Sequence, residues 1–235
     1  MKVRNSPLND RRVRLALNYA INKEVIANDL YKGYAHYGQL GFPGSAFWNP
    51  DTKPIAYDPA QAKRLLAEAG YPNGFKLPLG IEYTPQTVSP EIAVAVQGQL
   101  REIGVEVEVA NYEFAQFLDK YYGRNGQQKG DLFMVSNGNT TAHFSSGRGR
   151  FGCAGKDFEV WWCSEAFVRL YDQAVTEGDP IKRADLMKQA NNALVSDMPA
   201  IFLVVRDGFL VHGKVKGVEF TTRNIYNYDS AYRVE

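Results

Sequence analysis

The 235-residue sequence predicts an α/β fold with parallel strand pairing, and three features carry that expectation. The stretch FKLPLGIEY from Phe75 has strand character, and Ser89-Pro90 opens a helix that runs to Leu100 and stops at Gly104. VEVEVANYE from Val105 then alternates apolar and polar residues as a strand does. A further apolar run, DLFMVS from Asp131, is flanked by Gly130 and Gly138 and suits a buried strand. Strand, helix, strand in succession describes a sheet covered by helices, because two parallel neighbours can be joined only by a crossover.

The remaining elements follow in chain order. Asp10 is an N-cap residue for the long amphipathic helix RRVRLALNYAINKEVIANDLYKG, in which Val13, Ala16, Leu17, Ala20 and Ile21 recur at helical spacing and Gly33 supplies the stop. Residues 34–57, rich in Gly, Pro and aromatics, lack both periods and are expected to form a long ordered loop, a candidate wall for a ligand. Asp58-Pro59 opens a second helix, AQAKRLLAEAG, closing on Gly70. After the third helix and the Val105 strand comes a helical FAQFLDKYYGR. Beyond Asn137 the pattern dissolves into a Gly, Ser, Arg and aromatic segment. Helices return at about residues 165–175 and from Asp179-Pro180 through IKRADLMKQANNALVSDM. The tail AIFLVVRDGFLVH reads as two short strands around the turn signal Asp207-Gly208.

Composition excludes several classes of function. Lys plus Arg total 27 against 26 for Asp plus Glu, so no global field favours nucleic acid or an anionic membrane. No apolar run approaches the roughly 18 residues of a transmembrane helix, and MKVRNSPLND has no apolar signal-peptide core, so no export signal is expected within these residues. The three histidines, His36, His143 and His212, are scattered without metal-ligand spacing. Gly147, Gly149 and Gly152 form a formal GxGxxG, but no strand leads directly into it and Cys-Ala-Gly follows it, which argues for a glycine loop over a nucleotide site. No GxSxG elbow or paired base accompanies Cys153 and Cys163, so no catalytic set assembles, and neither a cofactor nor enzymatic chemistry is expected. The spacing of the two cysteines permits a bridge without proving one; two unpaired thiols are the other reading.

Aromatic and hydrogen-bonding side chains instead concentrate outside the regular elements. Phe42, Phe47 and Trp48 stand in the first long loop, and Asn137, Asn139, Arg148, Arg150, Trp161 and Trp162 in the second. Apolar walls with a few placed polar groups are what a small-molecule cleft requires, although aromatics under long loops also simply cover a core.

NSPLNDRRVRLALNYAINKEVIANDLYKG followed by YDPAQAKRLLAEAGYPNGF closely resembles the signature region of the family 5 extracellular solute-binding proteins. The likeness continues through QLREIGVEVEVANYEFAQFLDKYY and into DMPAIFLVVRDGFLVHGKVKGVEF. The resemblance implies a periplasmic-binding-protein-like second lobe, with a mixed, mainly parallel sheet flanked by helices. It implies a C-terminal portion of a two-lobe protein: residues 1–10 a remnant of the first lobe and hinge, 11–198 the second ligand-binding lobe, and 199–235 segments returning toward the first lobe. The expected partners are a small-molecule solute, an ABC transporter permease and the missing N-terminal lobe, in a periplasmic or other extracytoplasmic setting. A protein-interaction domain derived from the family is the alternative.

Aligned with the dipeptide-binding branch, Gln86 stands where a ligand-clamping arginine would, Val88 at a nearby tyrosine, Ser136 at a tryptophan and Asn139 at a clamping aspartate. With Phe47, Trp48, Asn137 and Arg148 these form the expected ligand-binding set. Loss of both charged clamps points away from free dipeptides and toward a solute uncharged at those ends, such as a sugar-like or modified compound. The family also implies a Cys153–Cys163 disulfide, contributing on the order of 2 to 3 kcal/mol by the chain-entropy model.

Overall fold

In the computed structural model, residues 6–37, 49, 51–122, 130–135, 163–206, 213–220 and 226–234 are described. Asp10 does what its side chain predicts: its carboxylate accepts the Arg12 N–H at 2.8 Å and starts α1 (Arg11–Ala20), which buries Val13, Ala16 and Leu17 on one face. The helix does not run on to Gly33. Ile21 turns extended (φ −97°, ψ 115°), and Asn22 accepts the Val25 N–H at 3.1 Å to begin a new turn, α2 (Lys23–Val25), which widens into a π-helical turn (Ile26–Leu30). The hydrophobic period hides this break because Ile21 and Ile26, on either side of it, both lie in the core.

A second difference falls in the expected 34–57 loop. Ala35–Tyr37 forms a strand, β1, antiparallel to β5 (Val204–Arg206), with Ala35 opposite Arg206. Three residues are too few to show a period, so this strand is defined only by a distant partner.

Residues 75–111 fold as expected. β2 (Phe75–Tyr83), α4 (Pro90–Glu102) and β3 (Val105–Asn111) make a parallel crossover unit, and α3 (Pro59–Glu68) lies against α1. β4 (Leu132–Phe133) adds to the other side of β2, also parallel, giving the order β3-β2-β4. β4 is shorter than the apolar run suggests: only two residues join the ladder, half-buried, and the Met134 N–H to the Glu82 carbonyl (2.9 Å) extends the contact.

β2 is the central strand yet contains Pro78, which has no N–H for a ladder. The register between β2 and β3 shifts between Leu77 and Ile81, so the proline falls in an irregularity of the kind that tolerates it. The Asp131 carboxylate accepts the Leu79 N–H at 2.7 Å, replacing a ladder bond. Gly80 completes the kink at φ +64°, where a Cβ would lie 2.3 Å from the Glu108 carbonyl oxygen. Gly80→Ala is therefore expected to cost about 3 kcal/mol, read as a lower urea midpoint at unchanged m-value.

The main core gathers α1, α3, α4 and the sheet. A satellite core joins α6 (Glu165–Thr176) and α7 (Pro180–Asp197) around fully buried Phe167 and Leu194. The chain beyond Pro199 first covers the main core, with Ile201, Leu203 and Val204 packed against it and the Asn18 amide donating to the Ala200 carbonyl at 3.4 Å. The second half of the expected Asp207-Gly208 hairpin lies outside the described residues. Further on, β6 (Val215–Lys216) pairs with β9 (Tyr232–Arg233) and β7 (Glu219–Phe220) with β8 (Tyr226–Asn227), all antiparallel.

Candidate functional site at the carboxyl edge of the sheet

Ligands of open parallel sheets bind outside the carboxyl ends of the strands, where the chain leaves the ladder and backbone and side-chain groups become free to face a solute. Three strands end at this edge: β2 at Tyr83, β3 at Asn111 and β4 at Phe133. The turn after β2 is tight. The N–H groups of Thr87 and Val88 both donate to the Thr84 carbonyl at 3.1 Å, and buried Thr84 is hydrogen-bonded through its hydroxyl to the Gln86 side-chain oxygen.

That turn places two of the expected site residues. Gln86 is exposed on the edge. Val88 is 7% exposed and belongs to the main core, so it anchors the turn from below. Phe47, Trp48, Ser136, Asn137, Asn139 and Arg148 lie outside the described residues, as does Cys153. Cys163 is described and is not a free thiol.

Beneath the edge sits an ion pair with no counterpart in the sequence reading. Side chains alternate along β2, so Ile81 and Tyr83 enter the main core while Glu82 points to the opposite face. There α5 (Phe114–Tyr122) covers the sheet: Phe117 is buried and meets the Phe133 ring edge-on at 5.9 Å. Lys120, three positions on, shares that helix face and reaches the Glu82 carboxylate at 2.8 Å. The other Glu82 oxygen accepts the Gly130 N–H at 3.1 Å. Gly130 has no room for a side chain, since a Cβ would lie 2.8 Å from Glu82 carbon atoms. The Lys120 ammonium also stands 4.9 Å from the centre of the Tyr112 ring, and its pKa is raised, first by the hydrogen bond to Glu82.

The pair therefore ties together β2, the residue after β3, α5 and the entry to β4. The available signal was a glutamate inside an otherwise apolar strand end, but nothing local names its partner. Among the described residues no cluster of His, Cys, Asp and Glu could hold a metal ion, and no helix is long and apolar enough to cross a membrane.

Comparison with known proteins agrees with this architecture. Residues 1–156 match the family described as bacterial extracellular solute-binding proteins, family 5 Middle. The chain is 29% identical over 226 residues to the dipeptide-binding protein of Escherichia coli (strain K12), covering 92% of this chain and 41% of that protein. It is also 29% identical over 224 residues to the glutathione-binding protein GsiB of the same strain, covering 91% and 43%. Among solved structures, the periplasmic binding protein DppA from Helicobacter pylori in complex with peptide STSA superposes with a TM-score of 0.73 at 27% identity, covering 99% of this chain and 46% of that one. The chain thus spans about two fifths of the length of the curated relatives it matches. A parallel sheet with a polar turn at its carboxyl edge and a family match over most of the chain lead to one assignment: the chain belongs to the family 5 bacterial extracellular solute-binding proteins.

Proposed function

We propose that this chain forms the second lobe, residues 11–198, and the return segments, 199–235, of a two-lobe capture protein for an ABC importer. It holds a small peptide-like, opine-like or sugar-like solute outside the cytoplasm by closing against an N-terminal lobe, and hands it to a membrane permease. It carries out no chemical transformation of the solute.

The observation that carries the reading is the exposed Gln86 turn at the carboxyl edge of the parallel sheet. That turn follows β2 beside β4, which ends at Phe133, and in the sequence the polar residues 136–139 come three positions later. Gln86, Ser136, Asn137 and Asn139 supply the polar contacts of the second lobe, with Arg148, Phe47 and Trp48 completing its wall and Val88 fixing the turn. A Cys153–Cys163 bridge closes the loop between them, a reading supported by the absence of a free thiol at Cys163. Neutral amides at positions 86 and 139 suit a ligand without terminal charges.

The test is calorimetric titration of the complete two-lobe protein with a zwitterionic dipeptide, an opine and an oligosaccharide. The unsubstituted protein is expected to bind the dipeptide weakest of the three. Gln86→Arg combined with Asn139→Asp should raise dipeptide affinity at least tenfold, since each restored charge converts a neutral contact into a charge-assisted one. Failure of the folded complete protein to bind any solute would overturn the capture reading. Tight dipeptide binding without the substitutions would overturn the assignment of the clamp positions.

A further inference from the structure

β4 contributes just Leu132 and Phe133 to the ladder, so little of its own backbone fixes where it leaves the sheet. Glu82 holds it at both ends. The Glu82 carbonyl accepts the Met134 N–H at 2.9 Å just past the strand, and the Glu82 carboxylate accepts the Gly130 N–H at 3.1 Å before it. The Glu82 side chain is 5% exposed, and a carboxylate so buried keeps its charge and its place only where a cation meets it. Lys120 supplies that cation from α5, at 2.8 Å.

The ends of β2 and β3 meet the same ammonium. It stands 4.9 Å from the centre of the Tyr112 ring, and the Tyr112 N–H donates to the Tyr83 carbonyl at 3.0 Å, joining the residue after β3 to the last residue of β2. Tyr83 leads directly into buried Thr84, whose carbonyl and hydroxyl shape the turn that carries Gln86. A binding edge needs its polar groups held to within about 0.5 Å, and that precision comes from the groups behind them. We propose that Lys120, acting through Glu82, is a positioning residue for solute binding, a role that rests on the solute-capture reading. It sets the height and register at which the strands deliver their ends to the carboxyl edge, from behind that edge and without touching the solute.

An ion pair that only stabilised the fold would change stability and leave affinity alone, and the two roles separate in a double variant. Glu82→Leu with Lys120→Met removes both charges together, so no stranded ion remains to unfold the chain. It also leaves the Gly130 N–H without its acceptor and the Tyr112 ring without its cation, which releases the entry to β4 and the end of β3.

The test is calorimetric titration of the complete two-lobe protein with alanyl-alanine, octopine and maltotriose, scoring in every variant the probe that the unsubstituted protein binds tightest. The double variant should bind that probe about tenfold more weakly, the equivalent of one lost hydrogen bond to the solute, with its urea midpoint nearly unchanged. Lys120→Arg keeps a cation within reach of the Glu82 carboxylate and should bind within about threefold of the unsubstituted protein. Lys76→Met is the control: it breaks an exposed ion pair with Glu108, 2.9 Å long, elsewhere on β2 and β3, and should leave affinity unchanged. A folded double variant that binds as tightly as the unsubstituted protein would overturn the positioning role and leave solute capture standing. A folded, unsubstituted protein that binds none of the three probes would overturn solute capture, and the positioning role with it.

Discussion

Arg14→Met is expected to destabilise the chain by about 4 kcal/mol, the largest loss for any single side chain described above. Arg14 is 9% exposed, and its guanidinium donates to four backbone carbonyls: Leu8 and Asn9 at 2.9 Å, Asp197 at 2.8 and 3.1 Å, and Met198 at 3.1 Å. Two of these belong to the chain leading into α1 and two to the end of α7, where the last carbonyls of a helix carry partial negative charge and lack intrahelical donors. Met198 caps α7 in the left-handed conformation at φ 50°, which brings these carbonyls toward one cation.

Methionine fills much of the space but leaves those acceptors unpaired. Arg14→Lys should recover less than half of the loss, because one ammonium cannot reproduce the planar fork across both sites. Arg11→Met is the contrast: Arg11 donates once, to the Ser196 carbonyl at 2.6 Å, from an exposed position, and should cost under about 1 kcal/mol. Urea unfolding of the three variants tests the ranking, and an Arg14→Met cost as small as that of Arg11→Met would show that water replaces the guanidinium.

Glu82→Leu is expected to cost about 3 kcal/mol, whereas Glu82→Leu with Lys120→Met should cost no more than about 1 kcal/mol. The single substitution leaves a half-buried ammonium without its carboxylate and the buried Gly130 N–H without its acceptor. The double substitution removes both charges and leaves only the N–H unsatisfied, so the difference between the variants isolates the stranded cation. The Lys120 pKa is raised in the folded state. Its contribution is therefore fully present below the unfolded lysine value and fades only as pH rises through the higher folded one. The cost of Lys120→Met relative to the unsubstituted protein, read by chemical unfolding, should therefore be the same at pH 7 and pH 9, and a cost already lost by pH 9 would contradict the assigned pair.

How much of this was legible beforehand depends on the range over which each residue acts. Asp10, Asp58 and Asp179 announce helix starts because a cap is satisfied within three residues, and each accepts the N–H groups it should. The β2, α4, β3 unit was readable for the same reason: its turn residues and its alternation are local. The break at Ile21 was not, because apolar spacing reports which face is buried and not whether the helix that carries it is continuous. β1 was hidden because its only definition is the β5 strand that arrives near the other end of the chain.

At the candidate site, alignment with the family placed Gln86, and the structure puts it on the exposed carboxyl edge, while Val88 sits in the core beneath it. The ion pair below that turn escaped the reading since Glu82 and Lys120 are separated by α4 and β3 and each, taken alone, is an ordinary charged residue.

The amino-acid sequence by itself determined the α/β class, the helix starts and the family likeness, all of which rest on short-range chemistry and pattern. Only the tertiary structure decided that Arg14 holds the end of α7, that Glu82 needs Lys120 and the bare Gly130, and that Lys23 is buried. The physical reason is the same in each case: burial sets the cost of an unpaired charge or a lost hydrogen bond, and burial is a property of how distant segments pack.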